Sequence, residues 1–223
     1  MTMQRSALRS VKRQPVGRRA RRRGPIRARR AGQLIAAALL AVAAAPALAH
    51  VEAGQATGFL TGFAHPFSGL DHILAMVAVG LWGAQLGAPA IWILPLTFPL
   101  VMAFGGFLGL IGVGLPGVEI GIAASAVLLG AAVMTERRVP LAAAAALVAF
   151  FAIFHGHAHG TELPAGQSGL LYSLGFVVAT GCLHAIGIAA GAVHRWPSGK
   201  VALRVAGGGV SLGGLYFLLG ALA

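Results

Sequence analysis

The chain has 223 residues, of which 57% are apolar and only 10% charged, and its mean hydropathy is +0.83. Soluble domains carry about 25% charged residues, so this composition excludes an ordinary water-soluble core and points to the bilayer as solvent. The net charge of +12 argues for no nucleic-acid partner, because twelve of the 17 Lys and Arg lie between Arg5 and Arg30. From His50 onward five basic and five acidic residues cancel.

Residues 1–33 are basic, Leu34 to Ala45 is a short apolar run, and Pro46-Ala47-Leu48-Ala49 follows. That order is the n-region, h-region and small-x-small cleavage site of a secretory signal. The twelve-residue run is shorter than the ~20 residues that cross a hydrocarbon core. Cleavage is predicted after Ala49, giving a leader over 1–49 and a transmembrane domain over 50–223. His50 then becomes a mature N-terminus outside the cytoplasm, where its α-amine and imidazole could form a small chelating pair.

Beyond the leader, turn and charge signals divide the chain into six apolar spans near 66–85, 90–113, 117–135, 140–157, 168–193 and 201–221. Long apolar runs without alternation predict an all-α polytopic bundle of six transmembrane helices rather than a barrel. If His50 starts outside, Arg137, Arg138, Arg195, Lys200 and Arg204 all fall on the cytoplasmic side. The outer loops hold no Lys or Arg, as the positive-inside rule requires. The predicted setting is a bacterial inner membrane with both mature termini periplasmic. Pairs such as Gly105/Gly109, Gly117/Gly121, Gly187/Gly191 and Gly209/Gly213 suit close helix packing, and Pro95 with Pro99 predicts a kink in the second span. Cys182 is the single cysteine, so no intrachain disulfide forms.

Ionisable groups beside lipid default to function, and here they cluster at the predicted outer face. The first group is His65-Pro66-Phe67-Ser68-Gly69-Leu70-Asp71-His72. With Pro66 at the first helical position, His65 falls near the N-cap. Two helical turns then bring His65 and His72 to one face. Asp71 could ligate a metal or accept a histidine N–H and fix its tautomer. The second group, Phe154-His155-Gly156-His157-Ala158-His159-Gly160-Thr161-Glu162, packs three imidazoles and a carboxylate into eight residues. His155 and His159 share a helix face, and unwinding at the glycines would let His157 join them. Glu119 lies on the same side. Deeper, Ser173, Thr180 and His184 fall on roughly one face of the fifth span. A nitrogen and oxygen donor set without thiolate suits Ni²⁺, Co²⁺, Cu²⁺ or Zn²⁺.

At these residues the sequence closely resembles the HupE/UreJ family, bacterial membrane proteins associated with nickel or cobalt supply to hydrogenase and urease. His65, Asp71 and His72 match the family's H-x5-D-H motif. Phe154, His155, Gly156, Ala158, His159, Gly160 and Glu162 match its F-H-G-x-A-H-G-x-E motif, in which His157 occupies a variable position. The resemblance implies a permease with Ni²⁺ or Co²⁺ as transported substrate, no resident cofactor, and a functional link to hydrogenase or urease maturation proteins. Its remaining partner is the lipid bilayer, and the sequence is compatible with a homo-oligomer. The same ligands could instead hold Zn²⁺ with an open water position and Glu162 or Glu119 as base, which is the chemistry of an intramembrane hydrolase. A sensor or scavenger is a third reading, for which a soluble output segment is missing.

Overall fold

In a bilayer the α-helix satisfies every backbone N–H and C=O within one segment. A computed structural model describes residues 58–163 and 166–223, and the described residues form helices and turns without a strand. The leader, its cleavage site and His50 lie outside the described residues. In chain order the helices are α1 (Gly58–Ala64), α2 (Leu70–Leu86), α3 (Ala90–Leu110), α4 (Val118–Thr135), α5 (Leu141–Thr161), α6 (Gly169–Gly191) and α7 (Pro197–Leu222). Helices α3 to α7 are each long and apolar enough to cross a membrane. Helices α1 and α2 pass the same test only together and are bent by 81° at the break between them, so the candidate crossings number five, or six if this pair forms one span.

That bend corrects the expectation of one straight helix over 66–85. His65 opens a 3-10 turn, His65–Phe67, at the end of α1 and is not the cap of α2. The Ser68 hydroxyl and backbone N–H both donate to the His65 carbonyl and close this turn. Extended backbone at Gly69 then starts α2 in a new direction. His65 and His72 therefore stand on two different segments.

Lipid tails are as apolar as leucine, so helices associate through close packing and small residues. Helix α2 occupies the middle and touches α3, α4, α6 and α7, while α3 pairs with α5, α4 with α7, and α1 with α6. Glycines sit at each pairing. Gly156 and Gly160 of α5 lie against the Met102 and Gly106 backbone of α3, and Gly105 and Gly109 face the Ile153 and His157 carbonyls in return. Gly80 meets the His184 carbonyl across α2 and α6, and Gly130 meets Gly207 across α4 and α7. Of the pairs predicted from sequence, Gly209 meets nothing. Helix α3 continues as one element through Pro95 and Pro99. Met76, Val79, Leu94, Phe98, Leu129 and Val148 fill the centre without solvent exposure.

The two ends of the bundle differ in chemistry. One gathers the histidines with Asp71, Glu119 and Glu162. At the other, Arg137, Arg138 and Lys200 surround Glu136 and His194, and Arg204 pairs with Glu136 at 3.0 Å.

Gly156→Ala places a methyl group on the Met102 backbone and should destabilise the fold by about 1–3 kcal/mol. Gly181→Ala, which meets open space, should stay within about 0.5 kcal/mol of the native protein. Size-exclusion chromatography of heated, detergent-solubilised protein reads the difference.

Candidate metal centre

Four elements bring the ionisable groups together: the 3-10 turn with His65, the first turn of α2 with Asp71 and His72, the last two turns of α5, and Glu162 just beyond them. They line a vestibule of about 1040 Å³ whose wall also includes Glu119, exposed in the first turn of α4. At its mouth His65 Nε2–H donates to Glu162 Oε2 at 3.0 Å, and His159 Nδ1 lies 3.7 Å from the same oxygen. The ligand-capable atoms of His65, His159 and Glu162 lie within 4.8 Å of one another. The His159 and His65 imidazoles beside it hold the Glu162 carboxyl well below the usual carboxylate range, so it is an anion at neutral and mildly acid pH.

From this mouth the imidazoles continue inward in ring-to-ring contact. His159 stands 4.8 Å from His65 and 4.6 Å from His72, between ring centroids, and His72 stands 4.8 Å from His155. Of the row, His65 keeps the most exposure, His72 and His159 keep little, and His155 is 0% exposed.

The hydrogen-bond partners assign a tautomer to His72 and to His155. Asp71 Oδ1 accepts from His72 Nδ1–H at 3.0 Å and from the His72 backbone N–H at 2.9 Å. His72 Nε2 is left with a lone pair and no partner. Of the two roles open to Asp71, this contact is the orienting one. Ser125 gives its hydroxyl proton to the Ile122 carbonyl, so its oxygen accepts from His155 Nε2–H at 2.9 Å. His155 Nδ1 is therefore the free atom. Neither nitrogen of His159 has a hydrogen-bond partner, and its ring packs on Phe176 at 4.0 Å.

His157 behaves differently. Helix α5 is unbroken through Thr161, so the expected unwinding does not occur. Two residues turn the helix by about 200°, which points His157 away from the row formed by His155 and His159. Its Nε2–H donates to the Val113 carbonyl at 2.7 Å and pins the α3–α4 loop.

Of the deeper candidates, Thr180 and His184 are buried. Ser173 is exposed and opens onto a side groove lined by Met102, Gly106 and one member of the row, His159. Sequence reasoning missed Ser125, a lone hydroxyl in an apolar helix, which was the available signal. It also missed Phe98, whose ring lies 5.2 Å from His155 and which nothing in the sequence separates from its apolar neighbours.

Fold and site together define a polytopic helical membrane protein with a histidine- and carboxylate-lined mouth leading into its core. The chain belongs to the HupE / UreJ protein family, which matches residues 37–217. It is 48% identical over 182 residues to Protein HupE of Rhizobium leguminosarum bv. viciae, covering 81% of this chain and 95% of that relative. No solved structure matches the chain.

His157→Ala should release the 111–117 loop at a cost of about 1–2 kcal/mol for the lost hydrogen bond and the stranded carbonyl. Limited proteolysis should show faster cleavage there, with metal affinity changed far less than by His159→Ala.

Proposed function

We propose that the protein is an uptake permease that collects Ni²⁺, with Co²⁺ as a second substrate, at a periplasmic mouth and passes it through the bundle. The ion would serve the maturation of a hydrogenase or urease. One observation carries this reading: a vestibule of anionic and imidazole donors leads into a row of imidazoles in contact, in which His72 Nε2, His155 Nδ1 and both His159 nitrogens have no hydrogen-bond partner. Burying an unpaired polar atom is costly, and a passing cation is the partner that would offset the cost.

The chemistry runs from the vestibule inward. Glu162 and Glu119 draw a hydrated cation into the vestibule, where His65, His159 and Glu162 can replace part of its water shell. His72 Nε2, oriented by Asp71, and His155 Nδ1, oriented by Ser125, offer the next nitrogen donors. Histidines held in this manner ligate more strongly than free rings. A negative-inside potential favours entry of a divalent cation by about 4.6 kcal/mol per 100 mV, which supplies a driving force without a mid-bilayer carboxylate. The five basic residues at the opposite end agree with a cytoplasmic exit under the positive-inside rule. The hydrolase alternative finds no support in the family.

Proteoliposomes carrying the native protein should take up Ni²⁺ saturably, and His72→Ala and His155→Ala should reduce influx to background. Asp71→Asn should weaken apparent affinity about 10–100-fold while leaving the fold intact. Glu162, held well below the usual carboxylate range by His159 and His65, stays ionised as the outside pH falls to mildly acid values, so its share of the capture should persist there. Tight binding with no influx would sink the permease reading.

A further inference from the structure

The ring of Phe98, 5.2 Å from His155 between centroids, also stands 5.4 Å from His184 of α6. His184 is 1% exposed and lies seven residues from the inner end of α6, about 10 Å along the axis. Its Nδ1–H donates to the Met76 carbonyl of α2 at 2.8 Å. That bond explains why a histidine is tolerated here, but it uses only one nitrogen. Nε2 keeps its lone pair, buried and without a partner.

One helical turn earlier on α6 is Thr180, also 0% exposed, whose hydroxyl has no partner either. A threonine inside a helix ordinarily gives its hydroxyl to a carbonyl one turn back. Thr97, Thr135 and Thr161 all do so, to the carbonyls of Ile93, Ala131 and Ala158. Thr180 and, in α1, Thr61 do not, and of these two only Thr180 is a fully buried residue. Residues at this spacing share a helix face. The His184 backbone is fixed as well, because its carbonyl abuts Gly80 of α2 at a close approach that a side chain there would prevent.

We propose that His184 Nε2 and the Thr180 hydroxyl form a second, inner coordination station for a divalent transition-metal ion, next to the Phe98 ring that also contacts His155. The station rests on the permease reading for its purpose, but its existence can be tested by binding alone. An ion arriving from His155 would exchange one imidazole nitrogen for another, with Thr180 replacing part of its water shell. Nitrogen and oxygen donors suit Ni²⁺ and Co²⁺ over Cu⁺.

His184→Asn tests this, because the Asn amide N–H can occupy the place of Nδ1–H and keep the bond to the Met76 carbonyl while Nε2 is lost. Thr180→Val removes only the hydroxyl and carries the test if His184→Asn fails to elute as folded protein. Equilibrium dialysis with Co²⁺ on the purified full chain should show each variant binding one equivalent fewer than native protein. Affinity for the remaining ions should stay within about twofold, the scatter of independent sites. Influx of Ni²⁺ into proteoliposomes should fall at least about tenfold in His184→Asn, the scale of a lost ligand contact. Unchanged stoichiometry overturns the station, whether or not influx falls, since slower influx alone would make His184 a packing residue. A lost equivalent with native influx overturns its place on the path. Absence of influx in native protein, with the equivalent still lost in the variants, overturns the permease reading and leaves the inner site standing.

Discussion

The close approach of α3 and α5 is the constraint from which the site follows. With no hydrophobic force between helices in lipid, contact depends on backbones coming together where side chains are smallest. Gly156 and Gly160 supply one half of that contact and Gly105 and Gly109 the other. The α5 glycines alternate with His155, His157 and His159, so the face that holds α5 against α3 also fixes which way each imidazole points. His155 and His159 turn toward α2 and meet His72, whereas His157 turns to the loop that follows α3. One eight-residue stretch thus sets both the helix pairing and the ligand geometry.

Neutral oxygen atoms do most of the orienting inside the bundle. A serine hydroxyl holds His155 and a main-chain carbonyl holds His184, while the charged orienting group, Asp71, stays nearer the mouth. A full carboxylate deeper in the bilayer would be costly to desolvate and would bind a divalent ion too tightly to release it. On the proposed permease function, the carboxylates at the mouth would attract the ion strongly and the neutral imidazoles would offer weaker, exchangeable contacts within.

Much of this was legible in the sequence, and the limits have physical causes. The helical bundle, the segregation of basic residues to one end and the grouping of both histidine motifs follow from long apolar runs and the placement of a few charges. The bend at Ser68 and Gly69 was not visible, because a proline followed by a glycine three residues later is compatible with either a helix start or a broken span. The sequence left open whether α5 unwinds at its glycines, because glycine weakens an isolated helix, whereas packed against α3 it is what lets the helix form there. Ser173 and Thr180 share a periodicity, yet one meets a side groove and the other the core, a distinction that only helix neighbours make. Ser125 and Phe98 act through contacts with α5 and α6, which no local pattern encodes.

The central claim is that the buried imidazoles are ligands, and nickel K-edge X-ray absorption of the loaded, purified protein tests it most directly. The account predicts outer-shell scattering from at least two imidazoles together with oxygen donors and no sulfur, as the donor set requires. A spectrum of six oxygen neighbours without imidazole scattering would contradict it, leaving the ion in the vestibule among carboxylates and water.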